Sequence, residues 1–416
     1  MNPSARPRVM VTGLGAVSPL GLTWPETWKA MLEGRSGIGP IEAFDASAFR
    51  SRIAGQVCGF EPAKYIQEKT AERLERYAQF ALAATREALA QAGLLEGGAD
   101  PERVAVVVGT GIGGLGEVER QQVKLMERGP RALSPLGILK LIGNTACGQI
   151  GIEYGFQGPS VCTTSACASG AHALAFALDL IRAGRCDVAV CGGSESAITP
   201  LCLGEFCAMQ ALSLRNDAPQ AASRPFDRAR DGFVLAEGCG IAVLESEAHA
   251  RSRGARPLAE FRGAGMSADA HHLACPHPAG RGFTQAMQGA LRDAGLQAVD
   301  VGYLNAHGTS TKLCDELEAS ATRGVFGASC ETLRMSSTKS MTGHLLGGAG
   351  GLEFAVIVQA LLDQVCPPTL NLEAPAPECA GLNLVPGQAQ KAVLRAALSN
   401  SFGFGGHNVS LVAACA

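Results

Sequence analysis

The sequence predicts a layered α/β fold. Short apolar runs of β type alternate along the chain with longer runs of helical period, the pattern of sheets stacked on helices. The order of elements before residue 255 is repeated in pattern after it, which points to an internal duplication without evident sequence identity. At 416 residues the chain is long enough for one large or two fused domains, and 47% apolar residues supply a sizeable core. The halves are set at 1–255 and 256–416.

The elements follow in order. VMVTG (9–13) reads as a strand and WPETWKAML (24–32) as a helix. RLERYAQFALAATREALAQAG (73–93) has apolar residues at helical spacing and stops on Gly93. RVAVVVGT (103–110), DVAVCGGSES (187–196) and GCGIAVLES (238–246) are buried strands. RNDAPQAASRPFDRARDGF (215–233) has the Asn, Asp and Pro content of a surface loop. In the second half, LAEFRGAGMSA (258–268) is strand-like and GFTQAMQGALRDAG (282–295) is a helix with a Gly stop. VGYLNAHGTS (301–310) is a strand running into a loop, GGLEFAVIVQALLDQ (350–364) is an apolar helix, and AALSNSFGFGGHNVSLVAA (396–414) holds two strands around a Gly-rich turn.

Composition excludes several classes. A net charge of −3 and 18% charged residues give no footprint for nucleic acid or an anionic membrane. The 15 cysteines are scattered, with no CxxC pair and no zinc spacing, so they read as small buried hydrophobes in a reducing compartment. The N-terminal stretch lacks an uninterrupted apolar core of signal-peptide type, and no apolar run reaches a bilayer-spanning length. The expectation is a soluble, cytoplasmic protein.

VCTTSACASGAHAL (161–174) carries the chemistry. Cys167 sits at a strand-to-helix turn among Ala, Ser and Gly, with the helix running to Gly184. Helix dipole and free backbone N–H groups there favour a thiolate, and small neighbours admit a substrate. The plainer alternative is a buried structural thiol. Two histidines shift the balance. NAHGTST (305–311) places His307 after a strand, and SSTKSMTGHLLGGAGGLEF (336–354) places Lys339 and His344 ahead of a Gly-rich helix start. A thiol with two imidazoles suits acyl transfer, one group being acylated while the others polarise a carbonyl. His172, His249, His271, His272 and His277 look idle beside them, and His407 reads as structural. GIGGLG (111–116) follows a strand as a dinucleotide fingerprint would, but it lies late in the chain and lacks an acid-ended strand about 20 residues on.

CTTSACASG, SRPFDRARDGFVLAEG, NAHGTST, SSTKSMTGHLLGGAGG and SNSFGFGGHN, in this order, resemble the β-ketoacyl-acyl-carrier-protein synthases, nearest in type to synthase II. The resemblance spans residues 8 to 414 or so. It implies the thiolase fold, two duplicated halves in a five-layer αβαβα sandwich. It implies decarboxylative condensation of malonyl carrier protein with an acyl chain on Cys167. His307 and His344 would stabilise the enolate, with Lys339 and Glu353 ordering their loops. Backbone N–H groups of Cys167 and Phe404 would form the oxyanion hole, Phe404 doubling as a gate. Thr309 and Thr311 would hold the phosphopantetheine arm. Ile112, Gly137, Phe206 and Phe402 would line the substrate pocket, and Lys69, Arg73, Arg128 and Arg131 would dock acyl carrier protein. The resemblance implies no cofactor and no required metal. A structural monovalent cation near Asn305, Glu353, Ser399 and Asn400 is optional. The chain would act as a homodimer, or as the catalytic half of a polyketide or polyene pair with a chain-length-factor subunit. A non-catalytic subunit is disfavoured by the intact Cys167, and a thiolase by the lack of Cys in GFGGHN.

The departures from the family are specific. Lys312, Leu313 and Cys314 follow HGTST where the family usually begins with Pro. Gln210 replaces an Arg thought to touch the carrier. Leu136 and Gly137 replace bulky Phe at the end of the partner's acyl pocket, so a tunnel for longer or stiffer chains is expected.

Overall fold

The computed structural model describes residues 6–416, so the first five residues of the segment read for a targeting signal lie outside it. Ten strands make a continuous sheet: β1 Val9–Val17, β2 Val104–Gly109, β3 Ser160–Thr163, β4 Val188–Glu195, β5 Gly238–Ser246, β6 Ala259–Ala268, β7 Val301–Asn305, β8 Arg334–Ser336, β9 Ala396–Gly403 and β10 His407–Ala414. The principal helices are α1 Trp24–Leu32, α2 Arg76–Ala92, α3 Leu115–Arg128, α4 Gly137–Leu141, α5 Thr145–Tyr154, α6 Ser169–Arg182, α7 Pro200–Ala208, α8 Arg281–Ala294, α9 Lys312–Phe326 and α10 Ala349–Asp363.

The strand order exposes the duplication. The first half runs β3-β2-β4-β5-β1 and the second β8-β7-β9-β10-β6, the same path with each number advanced by five. Pairing repeats as well. β2 is parallel to β3 and β4, while β4–β5 and β5–β1 are antiparallel. β7 is parallel to β8 and β9, while β9–β10 and β10–β6 are antiparallel. The halves join through β1 and β6 at Met10–Glu260 and Val11–Ala259.

Side-chain alternation on the strands builds the layers. Val104, Val106 and Val108 face an outer core with α2 and α5, whereas Ala105 and Val107 face a central core with α6 and α10. α8 and α9 cover the other outer face over Val301, Leu304 and Leu398. Helix, sheet, helix, sheet and helix layers result, the thiolase architecture. Glycines let the outer helices approach. A Cβ at Gly13 or Gly15 of β1 would sit 2.0 Å from a carbonyl oxygen of α2, and one at Gly265 of β6 would sit 2.1 Å from Ala286 of α8.

Two expectations need correction. Leu346–Asp363 is long and apolar enough to cross a bilayer, contrary to the sequence reading, but 83% of it is buried as the core helix of the central layer. The 215–233 stretch is irregular as expected, yet its second half is interior. Ser223, Arg224, Phe226, Asp227 and Phe233 are buried. Asp227 holds it by accepting from Arg224 Nε at 3.0 Å and from the Ala229 and Ala374 N–H groups at 2.8 Å, which satisfies polar groups that composition alone assigns to solvent.

Candidate active site

Cys167 stands two residues ahead of α6, on a turn whose preceding residue, Ala166, has φ +49°. That left-handed conformation is costly for Ala and turns the chain sharply from β3 into α6. The Ser169 hydroxyl fixes the turn, accepting from Ser165 N at 2.9 Å and donating to Ala166 O at 2.7 Å. The backbone N–H groups of Phe404 and of Cys167 itself favour the ionised form of the sulfur. The late Gly-rich turn can come this close because a Cβ at Gly403 would meet Ser165 O at 2.9 Å and Cys167 N at 3.2 Å. Burial pushes the Cys167 thiol up to about 12, with Lys339 and the Phe404 N–H opposing. The resting group is therefore a thiol, not the thiolate expected from the helix terminus. Desolvation outweighs the dipole at a residue only 5% exposed.

The histidine rings meet beside it, 5.4 Å apart between centroids and nearly perpendicular. Burial first, and then Lys339, hold both pKa values well below the ordinary imidazole range. Both rings are neutral and can each present one N–H. His344 is fixed by its backbone, donating to Val234 O at 2.8 Å and accepting from Ala236 N at 3.0 Å. Phe233 packs edge-on to its ring and Phe206 packs on Phe233. The His307 and Gly308 N–H groups both donate to the Glu318 carboxylate at 2.8 Å. Lys339 pairs with Glu353 in the interior, and burial pushes Glu353 up to about 7.

Cys167, His307, His344, Thr309, Thr311, Phe402 and Phe404 line one cavity of about 470 Å³. The threonine hydroxyls are 3.0 Å apart on its wall. Lys312, Cys314, Gln210 and Cys275 share it, as does His272, which the sequence left idle. His272 Nδ1 accepts from Ala274 and Cys275 N–H and so shapes the wall loop. Other predicted residues lie elsewhere. Ile112 is 38% exposed on the loop before α3. Gly137 is buried at the start of α4, its missing Cβ 3.4 Å from Gln121. Phe206 stands behind Phe233 rather than in the cavity lining. Lys69, Arg73, Arg128 and Arg131 are exposed and outside that lining. Asn305 and Asn400 are buried; Asn400 links Ser410 and Glu318, at 2.7 and 3.0 Å.

Three acids escaped the sequence reading. Glu195, at the end of β4, accepts from Thr110 Oγ1 at 2.8 Å and from the N–H groups of Gly111 and Gly347 at 2.6 and 3.1 Å. The GIGGLG loop therefore folds around a carboxylate of its own chain, and N–H groups that a pyrophosphate would need are taken. Asp315 and Glu318 share one face of α9 at i,i+3 spacing, the one available hint in CDELE. Asp315 accepts from Phe226 N at 2.9 Å and Ser310 N at 3.2 Å, and burial pushes it up to about 7.

A buried thiol, two neutral imidazoles and an N–H pair on a thiolase fold define an acyltransferase of the condensing-enzyme class. Comparison with known proteins agrees. The β-ketoacyl synthase N-terminal domain model matches residues 6–250 and the C-terminal domain model matches residues 258–373. The chain belongs to the β-ketoacyl synthase family. It is 47% identical over 404 residues to 3-oxoacyl-[acyl-carrier-protein] synthase 2 of Synechocystis sp., covering 97% of each chain. It is 45% identical to the Coxiella burnetii protein of that name, covering 97% of this chain and 98% of the relative. Among solved structures it is similar to the ishigamide ketosynthase/chain length factor (TM-score 0.92, 34% identity, 99% and 100% coverage). A β-ketoacyl synthase from Burkholderia phymatum STM815 matches with TM-score 0.91 and 33% identity, at the same coverage.

Proposed function

We infer that this protein is a β-ketoacyl-acyl-carrier-protein synthase that elongates acyl chains from malonyl carrier protein. The convergence of Cys167, His307 and His344 in one cavity carries the reading. In the first stage Cys167 Sγ forms a bond to the acyl carbon, the pantetheine S–C bond breaks, and the thiol proton passes to the leaving sulfur. The N–H groups of Cys167 and Phe404 hold the oxyanion. In the second stage malonyl carrier protein loses carbon dioxide. Neutral His307 and His344 donate to the thioester oxygen as it gains enolate charge, and the enolate carbon attacks the Cys167 thioester. The released thiolate takes a proton from water. Thr309 and Thr311 bear on the pantetheine arm, while Lys69, Arg73, Arg128 and Arg131 meet the carrier protein. The buried Asn305 Oδ1 and Glu353 Oε2 have no donor among the described residues, which supports an optional monovalent cation with a purely structural role.

The chain acts as a homodimer, supported by the unpaired edge of β3 and the exposed apolar residues Val161 on that strand and Ile152 on the adjoining α5. A cytoplasmic setting is supported by its free thiols. The deciding experiment supplies the purified chain with malonyl carrier protein and acyl carrier proteins of graded length, with products read by mass spectrometry. Turnover is expected, and its length profile reports how long an acyl chain the site admits. Acylation of Cys167 without turnover would instead demand a chain-length-factor partner. Cys167→Ala abolishes elongation, and His344→Ala loses decarboxylation more than acyl loading; equal losses would make His344 a structural prop.

A further inference from the structure

We propose that Lys312 binds the phosphate of the phosphopantetheine arm at the mouth of the catalytic cavity. The inference rests on the acyl-transfer reading above. Lys312 is exposed yet lines the same cavity as Cys167, directly after Thr311. The other charged residues on that wall, Asp231 and Asp269, already have partners. Asp231 accepts from Leu214 N at 3.2 Å and Asp269 from Asn408 Nδ2 at 3.0 Å. The Lys312 ammonium has no ion pair or hydrogen-bond partner among the described residues, although its backbone is held. Buried Arg230 donates to Thr311 O at 2.9 Å and to Lys312 O at 2.5 Å, so the side chain leaves from a fixed point.

Local folding does not explain a lysine there. Lys312 is the first residue of α9, where the positive end of the helix dipole disfavours a cation. An anion at the mouth relieves that conflict. The incoming substrate carries one, the phosphodiester between pantetheine and carrier serine, at the end of the arm remote from the thioester. A thioester beside Cys167 leaves the arm running out past Thr309 and Thr311, with its phosphate at the rim. A Lys–phosphate contact adds a charge-assisted hydrogen bond and shifts binding by about tenfold.

Acylation of Cys167 is followed by intact mass, with hexanoyl carrier protein, hexanoyl-4′-phosphopantetheine and hexanoyl-pantetheine as donors. For Lys312→Ala, half-saturation with both phosphate-bearing donors rises about tenfold while the maximal loading rate holds. Loading from hexanoyl-pantetheine stays at the parent's level, and Lys312→Arg restores affinity. Parent-like behaviour of Lys312→Ala with hexanoyl-4′-phosphopantetheine overturns the proposal alone. A loss confined to the carrier protein also overturns it, assigning Lys312 to the carrier's acidic surface. A parent chain that loads from none of the three donors removes the acyl-transfer reading itself.

Discussion

His307 and His344 are buried neutral bases, and neutrality is what their proposed work requires. An imidazolium would attract the malonyl carboxylate in the ground state as well as the enolate, whereas a neutral N–H responds to charge as it develops. Their depressed pKa values also make a stability statement. In the unfolded chain each ring takes a proton near pH 6.5, while in the fold burial and Lys339 keep it off to a lower pH. The unfolded state then binds more protons as pH drops below 6.5, so this contribution is complete above 6.5 and is lost as pH falls toward the folded value. Between pH 6.5 and 5.5 the parent loses about 1 kcal/mol more than His344→Gln in urea unfolding. Equal slopes for parent and variant would mean that the ring is charged in the fold.

At the scale of elements, the site is an arrangement of loop ends tied to buried carboxylates. Glu195 ties the 110–113 loop to the Gly347 turn, and Glu318 and Asp315 on α9 tie the 307–310 loop. Positive φ at Ala166, Ser310 and Leu346 places strain in the loops that carry function. Replacing Glu195 by Ala strands several buried N–H groups, and the loss is about 3 kcal/mol in urea unfolding. Gly347→Ala would put a Cβ 2.2 Å from Gly111 N, a clash with backbone that no rotamer relieves. It destabilises by about 3 kcal/mol and slows acylation of Cys167, since the Gly111 loop must move. A Gly347→Ala protein with parent stability would show that these loops are not coupled.

For the molecule as a whole, duplication leaves each half with an edge strand, β3 in the first and β8 in the second. β3 is the one flanked by exposed apolar side chains, with Val161 50% exposed. A second copy added there covers the patch and pairs the open backbone. Light scattering gives twice the chain mass for the parent and a single chain mass for Val161→Lys. A parent that runs as a single chain overturns the edge-strand dimer.

The sequence by itself determined the α/β alternation, most strand positions, half of the principal helices, and the cysteine and two histidines that the fold brings into one cavity. Strand and helix periods are local, and Cys167, His307 and His344 sit in Gly-, Ser- and Thr-rich loops whose composition marks them. It left unread α3, α4, α5, α7 and α9, which bury few apolar residues and so carry little of the apolar stripe that marks a core helix; α3, for example, buries only Glu117, and α7 only Cys202 and Leu203. Glycines at 13, 15, 263 and 265 record the helix–sheet contacts of the duplication, but their meaning appears only when the partner helix is in place. Only the tertiary structure decided that Cys167 rests as a thiol, that the second half of the 215–233 stretch is interior, and that Glu195 occupies the glycine loop. Each depends on which distant residues surround a group, because desolvation and hydrogen-bond satisfaction are properties of neighbours in space rather than in sequence.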